Sequence, residues 1–463
     1  MFIKKITIKN FRLFPPEKDF EIDNINTPDG TNEGSGLNVF VGENGSGKTA
    51  LLDAFALPIL EYKTEKFGID SFNDPSKKVE VNIYSKEEFE VDGTMPKGSF
   101  KAKGFSFEAG VRSKESKTYL SSIVVNDQKF IRVDPSKPKD NSPDLRVSVN
   151  NPFKGKRFSE NDVLFLDRNR LFQTRSGNFN TTRFDRLMED FSYQYLKKSE
   201  VSNLNDDLDE KIKKDKVENK FLSEAIKKFQ EISGSQIKLD FLDNYEPFKN
   251  AFFAAKKDNN QQISLNNLGS GYEMIFALLY SFYLAQQSGK QLIVLIDEPE
   301  LHLHPRLQGK FVEFLLEFSK SAQIILASHS PLLVKQLSFN EKVKISVLEN
   351  GQEVAEIDKR VLPYISANET NFLAFNLATE EYHNELFEEL KFINGDDKTI
   401  KDFDNDFFVT GKSEPKNSPW RGSQNEVSEH TFIRNQIHHQ KENGKTEYSV
   451  LKASIEKMRG FLI

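Results

Sequence analysis

The sequence has no cysteine among its 463 residues, which excludes disulfide bonds and thiolate metal sites. It also has no apolar run near the roughly 18 residues that a membrane-spanning helix needs. The N-terminal segment MFIKKITIKNF alternates apolar and polar residues, which is typical of a strand rather than of a signal peptide. These absences predict a soluble, cytoplasmic protein without a membrane partner.

The sequence also lacks a large excess of one charge. Its 70 acidic residues nearly balance its 64 basic ones and leave a formal net charge of −6. This balance disfavours a protein that coats nucleic acid with its whole surface. A local basic groove stays compatible with it, so nucleic acid is kept as a candidate local partner.

The sequence does contain a complete phosphate-binding motif, GENGSGKT, directly after the apolar run Leu37–Val41. Glycines at the fixed positions let backbone N–H groups turn toward phosphate oxygens, and the helix that follows presents its positive end. Lys48 is expected to reach the β- and γ-phosphates of ATP, and the Thr49 hydroxyl to hold Mg²⁺. The predicted nucleotide-binding residues here are Gly42, Asn44, Gly45, Ser46, Gly47, Lys48 and Thr49.

A second motif, LIVLIDEP, places two carboxylates at the end of an apolar strand. Such a strand is buried on both faces in a parallel sheet. Asp297 at its tip is predicted to bind the Mg²⁺ shell. Glu298 points elsewhere and is predicted to orient or deprotonate the attacking water, as the catalytic residue of an ATPase.

The segment Leu268–Glu273, LGSGYE, resembles the signature loop of ABC-type ATPases of the SMC, RecF and OLD kind. In that family the serine and glycine that begin the next helix cap the γ-phosphate held by the opposite subunit. The resemblance assigns this role to Ser270 and Gly271, whereas Gly269 stands where serine is more usual. On its own, the segment is better interpreted as a loop that opens a helix.

The segment Ile324–Pro331 resembles the switch-histidine segment of the same family, which makes His329 the implied sensor of the γ-phosphate. Between these motifs, PELHLHP matches a segment that follows the acidic pair in OLD- and RecF-like ATPases. Its His302 and His304 have the spacing of two metal ligands on one strand face, but no third ligand accompanies them. Gln173 falls where these ATPases carry their glutamine loop, but the motif is weak and an ordinary surface loop is the favoured interpretation.

The order and spacing of the motifs predict an α/β protein with an ABC-type P-loop ATPase head at residues 1–365. Within it we expect a β-rich segment at about 68–150 and a helical insertion at about 184–255, the latter from the spacing of its apolar residues. Long heptad arms are absent. Residues 366–463 predict a C-terminal helical unit, interrupted by a polar loop near 394–426.

The C-terminal unit contains FIRNQIHHQ, in which Arg434 and His439 have the spacing R-x4-H. This resembles the motif of HEPN domains, small helical units that often act as dimeric ribonucleases. The resemblance implies that His439 would move protons during attack by a 2′-OH and that Arg434 would stabilise the developing charge. The same spacing also arises by chance, and Arg434 could simply pair with an acid.

Most of the chain resembles the ATPase subunits of bacterial anti-phage systems, above all the PtuA type of Septu, with the PARIS ATPases as neighbours. The resemblance implies an ATP- and Mg²⁺-dependent switch that assembles head-to-tail with itself and controls an effector nuclease, an HNH protein in Septu. Hydrolysis is expected, with no prediction of its rate. Two alternatives stay open: an ATP-gated ribonuclease that uses Arg434 and His439, and a RecF-like DNA-repair ATPase.

Overall fold

The computed structural model divides the chain into two compact units, Met1–Ala355 and Glu356–Ile463. It describes residues 2–58, 67–94, 97–111, 118–125, 128–130, 163–166, 171–173, 180–182, 221–233, 238–241, 253–256, 262–264, 270–287, 291–349, 353–357, 360–420, 423–439 and 445–463. Within these residues, no helix is both long enough and apolar enough to cross a membrane.

The described strands are β1 (Ile3–Lys9), β2 (Phe20–Ile22), β3 (Leu37–Val41), β4 (Val79–Thr94), β5 (Lys97–Val111), β6 (Thr118–Val125), β7 (Gln128–Phe130), β8 (Val163–Leu166), β9 (Leu171–Gln173), β10 (Asn180–Thr182), β11 (Lys238–Phe241), β12 (Phe253–Lys256), β13 (Gln262–Ser264), β14 (Leu292–Asp297), β15 (Ala322–Ala327), β16 (Lys344–Glu349), β17 (Glu353–Glu356), β18 (Ser418–Trp420) and β19 (Ser423–Val427).

The described α-helices are α1 (Lys48–Ala56), α2 (Phe221–Ser233), α3 (Ser270–Gln287), α4 (Pro305–Phe318), α5 (Pro331–Leu337), α6 (Ala367–Phe375), α7 (Glu380–Gly395), α8 (Ile400–Phe403), α9 (Glu429–His438) and α10 (Tyr448–Leu462). Short 3-10 turns occupy Ile69–Ser71 and Pro299–His302, and a π-helical segment occupies Asp404–Gly411.

A six-stranded sheet in the order β17-β16-β3-β15-β14-β8 forms the centre of the first unit. Its strands β16, β3, β15, β14 and β8 run parallel. Strands β3, β15, β14 and β8 are buried at every residue, because apolar side chains on both faces are covered. The carboxyl ends of parallel strands meet at one edge, which is where ligands bind in open α/β sheets.

An antiparallel sheet in the order β2-β1-β4-β5-β6-β7 forms a second layer of the same unit. Its strands alternate apolar and polar residues, so that one face can enter the core. Ile6 and Ile8 in β1 lie opposite Ile83 and Val81 in β4, and all four side chains are buried. Strands β4 to β7 fall within the predicted β-rich segment of 68–150, whereas residues 131–150 lie outside the described residues.

The predicted helical insertion of about 184–255 is helical only in part. Helix α2 lies within it and buries Ala225 and Phe229, as its apolar spacing predicts. Beyond it, however, β11 and β12 pair antiparallel, and β13 completes a small sheet. The physical reason is the period of two in Lys-Leu-Asp-Phe at 238–241, which suits a strand and not a helix. Residues 184–220 lie outside the described residues.

The second unit packs α7, α9 and α10 around its own core. Buried apolar side chains come from α7 (Leu386), α9 (Ile433) and α10 (Leu451, Ile455, Met458). The last three confirm the predicted terminal helix. Four described α-helices of this unit, α6 to α9, begin at serine or threonine caps whose hydroxyls accept from backbone N–H groups of the first turn, whereas α10 begins at Glu447 without a side-chain cap. These caps are Ser366, Thr379, Thr399 and Ser428.

The predicted polar loop near 394–426 is wrong over most of its length, because it contains α8, the π-helical segment and the hairpin of β18 and β19. Buried Asp404 stabilises this region: its Oδ1 accepts from the hydroxyls of Ser428 (2.5 Å) and Thr431 (2.6 Å). Phe403 and Phe408 enter the core. The chain divides at Ala355, somewhat before the predicted boundary of 365.

Candidate functional site

The phosphate-binding loop connects β3 to α1 through three glycines with positive φ. These angles are 144° at Gly42, 81° at Gly45 and 104° at Gly47, a region that side-chain-bearing residues rarely adopt. At Gly42 an added Cβ would also lie 2.5 Å from the carbonyl oxygen of Leu348. The loop geometry therefore requires the glycines that the motif contains, and it turns the start of α1 toward the carboxyl edge of the parallel sheet.

Lys48, the first residue of α1, lies across this loop and is buried. Its Nζ donates to the carbonyl oxygens of Gly42 (2.9 Å) and Glu43 (2.8 Å) and to Oγ of Ser46 (3.1 Å). Burial lowers the pKa of Lys48 to about 8, against the opposing pull of nearby carboxylates. The ammonium group is thus held where the loop would place phosphate oxygens.

Thr49 and Asp297 form the second element of the site. The Thr49 hydroxyl donates to Oδ2 of Asp297 at 3.0 Å, and Asp297 is buried at the carboxyl end of β14. Hydroxyl and carboxylate oxygens are ligands that Mg²⁺ prefers. The two side chains therefore fit the magnesium role that the sequence predicts for them.

Glu298 and His329 form the third element and come from neighbouring parallel strands. Glu298 follows β14 with φ 47° and ψ 60°, and its N–H donates to the carbonyl oxygen of Ala327 at 2.9 Å. His329 follows β15, and its Nε2 lies 3.2 Å from Oε1 of Glu298. A left-handed glutamate is strained, and such strain is concentrated at functional sites. The turn aims this carboxylate at the histidine.

Glu300 is a further acidic residue of this edge, and the sequence analysis missed it. Its Oε1 accepts from the backbone N–H of His329 (2.5 Å) and from the hydroxyl of Ser328 (3.0 Å). Burial raises the pKa of Glu300, with a smaller contribution from the charge of Glu298. The signal available in the sequence was its place in PEL, directly after the acidic pair.

The remaining residues of the first unit that were singled out have separate positions. Ser270 and Gly271 begin α3, whereas Leu268 and Gly269 lie outside the described residues. Gln173 ends β9, and its side chain is also outside them, as is that of His302. His304 caps α4 by accepting the N–H of Arg306 on Nδ1 at 3.3 Å, which gives it a structural role.

The model of the family described as "AAA domain, putative AbiEii toxin, Type IV TA system" matches residues 37–335, more than half of the 463 residues. The chain belongs to this ABC-type AAA ATPase family. The matched span runs from β3 into α5, so it includes the phosphate-binding loop, Asp297, Glu298 and His329. Membership establishes a P-loop ATPase head that binds nucleotide.

Three relatives align with the chain at identities between 23% and 36%. It is 23% identical over 347 residues to the OLD nuclease of Thermus scotoductus, covering 71% of this chain and 59% of that protein. It is 25% identical over 374 residues to Septu protein PtuA of Bacillus mycoides, covering 78% and 42%. It is 36% identical over 73 residues to Septu protein PtuA of Bacillus thuringiensis, covering 16% and 17%. The alignments thus span 59% or less of each relative.

The C-terminal candidate residues lie in the second unit, beyond the matched span. Arg434 in α9 pairs with Glu388 of α7, Nη2 to Oε1 at 3.2 Å, and its guanidinium carbon lies 5.8 Å from the ring centroid of Phe387. His439 is exposed at the end of α9. The histidine one helical turn after Arg434 is His438, whose Nε2 lies 2.9 Å from Oδ1 of Asn384. The sequence analysis did not single out His438.

Proposed function

We propose that this chain is an ATP-hydrolysing switch subunit that controls an effector nuclease in anti-phage defence. The observation that carries the proposal is the meeting of two pairs at one edge of the parallel sheet: Thr49 with Asp297, and Glu298 with His329. The first pair joins residues 248 positions apart, and the second joins the loops after two neighbouring strands. Their combined chemistry is that of phosphoryl transfer to water.

The proposed roles rest on this geometry. Loop N–H groups and the Lys48 ammonium would bind the phosphates of ATP, and Thr49 and Asp297 would hold a Mg²⁺ ion, which would neutralise phosphate charge. Glu298 accepts a proton from the attacking water or orients it. His329 lies within hydrogen-bond distance of Glu298, so it can both orient that carboxylate and contact the γ-phosphate.

Self-assembly is the next part of the proposal. Ser270 and Gly271 begin an 18-residue helix, α3, and a helix N-terminus favours an anion. In the ABC-type ATPases whose signature loop this segment resembles, this helix terminus caps the nucleotide bound by a second head. Two heads arranged head-to-tail would complete two sites, so that ATP favours the closed dimer and hydrolysis reopens it.

Control of a nuclease is supported by the relatives, two of which are named Septu protein PtuA and one OLD nuclease. The effector in the proposal is a separate protein, such as an HNH nuclease, in the cytoplasm. In the proposed assembly, this chain is the ATPase and the separate protein is the nuclease.

The test is phosphate release from ATP by the wild-type chain and by Glu298→Gln, followed by affinity purification of the tagged chain from the cells in which it naturally occurs. We expect hydrolysis by the wild type, a loss of about 10²-fold or more in the variant, and a nuclease in the purified complex. Equal rates for both chains would contradict the assignment of Glu298. A wild-type chain that neither binds nor hydrolyses ATP would contradict the whole proposal.

The ribonuclease alternative rests on Arg434 and His439 in the second unit. Labelled RNA and DNA incubated with the wild type, Arg434→Ala, His438→Ala and His439→Ala would distinguish it. RNA cleavage that needs Arg434 and His439 would support a self-contained ribonuclease gated by ATP. Salt-sensitive DNA binding without cleavage would instead favour a RecF-like repair function.

A further inference from the structure

Glu300 connects the two loops that carry the proposed catalytic pair. Its carboxylate belongs to the 3-10 turn Pro299–His302, which directly follows Glu298, yet it accepts two hydrogen bonds from the loop after β15. The two donors are the Ser328 hydroxyl and the backbone N–H of His329. The side chain thus spans the gap between two neighbouring parallel strands at their carboxyl ends.

The connection continues beyond Glu300 through buried polar groups. Ser328 Oγ accepts the N–H of Ser330 at 3.0 Å, and Ser330 Oγ donates to Oε1 of Gln308 at 3.1 Å. Gln308 Nε2 donates back to the carbonyl oxygen of Leu303 at 3.2 Å, just after the turn that holds Glu300. The hydrogen bonds therefore close a ring between the two loops, and buried rings of this kind fix geometry strongly.

His329 is consequently held by two glutamates, Glu298 directly before the 3-10 turn and Glu300 within it. Glu298 contacts its imidazole through Oε1 at 3.2 Å, while Glu300 accepts its backbone N–H at 2.5 Å. The second carboxylate oxygen of Glu300, Oε2, is buried and makes no hydrogen bond within the described residues. Burying a carboxylate with one unsatisfied oxygen costs folding free energy. A glutamate kept at such a position is therefore a candidate for a functional role.

We propose that Glu300 is a positioning residue for ATP hydrolysis, which holds the backbone of His329 so that its imidazole meets Glu298 and the γ-phosphate together. This inference rests on the proposed ATPase function. Without Glu300, the loop after β15 loses its anchor to the catalytic turn, and the imidazole drifts from Glu298. Misplacement by about 1 Å is enough to lower a rate by 10²-fold.

The test measures kcat and KM for ATP in the wild type, Glu300→Ala, Glu300→Gln, His329→Ala and the double variant Glu300→Ala/His329→Ala. We expect Glu300→Ala to lower kcat by roughly 10- to 100-fold with KM within about threefold of wild type, since only geometry in the transition state is lost. Glu300→Gln keeps an acceptor oxygen and should recover most of kcat. The double variant should be no slower than His329→Ala, because Glu300 acts through His329.

Glu341→Ala is the matched control, because Glu341 is an exposed glutamate of the same unit. Wild-type kcat in Glu300→Ala, or losses that multiply in the double variant, would overturn the inference while leaving the proposed ATPase intact. No hydrolysis by the wild type would overturn both. If Glu300→Ala does not fold, Glu300→Asp, whose carboxylate is one methylene too short to accept the same hydrogen bonds, carries the same comparison in the presence and absence of His329.

Discussion

The Thr49 hydroxyl lies 3.0 Å from Oδ2 of Asp297, although 248 positions separate the two residues in the sequence. The sheet order explains the meeting, since β15 is the single strand between β3 and β14 and all three run parallel. Thr49 begins the helix that follows β3, and Asp297 ends β14. One edge of one sheet thus brings both metal-binding candidates together.

Asp297→Asn is expected to weaken ATP binding only when Mg²⁺ is present. The substitution keeps the size of the side chain but removes the charge that the cation needs, so affinity in Mg²⁺ should fall by about tenfold or more. Titration of a fluorescent ATP analogue in Mg²⁺ and in EDTA measures the difference. Asp19→Asn, at a side chain that is 63% exposed, serves as the control. Equal weakening in both buffers would contradict the magnesium role.

The lowered pKa of Lys48 predicts that nucleotide binding is coupled to proton uptake. Burial lowers the pKa of Lys48 to about 8, so the free protein loses this ammonium charge as the pH rises above that value. Bound phosphates favour the protonated form, and ATP binding near pH 8 should therefore take up about half a proton. Calorimetric titration in two buffers of different ionisation enthalpy detects the uptake. A heat that is independent of the buffer from pH 7 to 9 would exclude the linkage.

The sequence analysis was most successful where local pattern and chemistry coincide. The strands β3, β14 and β15 and the residues at their ends follow from apolar runs that stop at glycines or acids. Glu300 could not be found in this way, because its role depends on a backbone N–H supplied by the loop after another strand. A side chain that anchors the main chain of a distant loop leaves no local pattern.

In the second unit, the sequence analysis predicted less regular structure than the fold contains. Terminal helix α10 follows from the spacing of Leu451, Ile455 and Met458, but the ordered segment around Asp404 reads as a polar loop. That segment is stabilised by hydrogen bonds from Ser428 and Thr431, which are remote in sequence. Composition alone therefore underestimates structure wherever a buried polar residue, rather than an apolar stripe, organises the chain.

Two buried histidines predict that the second unit loses stability in mild acid. Ser454 Oγ lies 2.9 Å from Nε2 of His383 and 2.6 Å from Nδ1 of His430. Burial lowers the pKa of His383 to about 3 and that of His430 to about 4. Below about pH 6.5 the two histidines are protonated in the unfolded chain but stay neutral in the folded unit. The stability present above pH 6.5 is therefore lost as the pH falls. Between pH 6.5 and 5 the free energy of unfolding should drop by roughly 1.5 kcal/mol for each histidine.

Trp420 gives a direct measurement of this effect, because it is the single tryptophan of the chain and lies in the second unit. Urea unfolding followed by its fluorescence at pH 7 and pH 5 should show the loss. His383→Gln should reduce the pH dependence, whereas His439→Gln, at an exposed position, should leave it unchanged. Identical unfolding midpoints at the two pH values would contradict the prediction.

A buried ion pair predicts a large loss of stability in the second unit when one partner is removed. Arg459 Nη1 lies 3.0 Å from Oε1 of Glu369, which also accepts the Tyr382 hydroxyl at 3.2 Å and the N–H of Val361 at 2.7 Å. Glu369→Ala would leave the guanidinium charge buried without its carboxylate and should cost about 3–5 kcal/mol.

The double variant Glu369→Leu/Arg459→Met separates the charge from the shape of this site. It removes both ions while keeping apolar volume against Phe372, whose ring centroid lies 5.5 Å from the guanidinium carbon. Replacing a whole buried pair by apolar groups is often neutral, so the double variant should be more stable than Glu369→Ala by about 2 kcal/mol or more. Urea unfolding followed by Trp420 fluorescence measures both. A double variant no more stable than Glu369→Ala would mean that the hydrogen bonds to Val361 and Tyr382, and not the charge left on Arg459, set the loss.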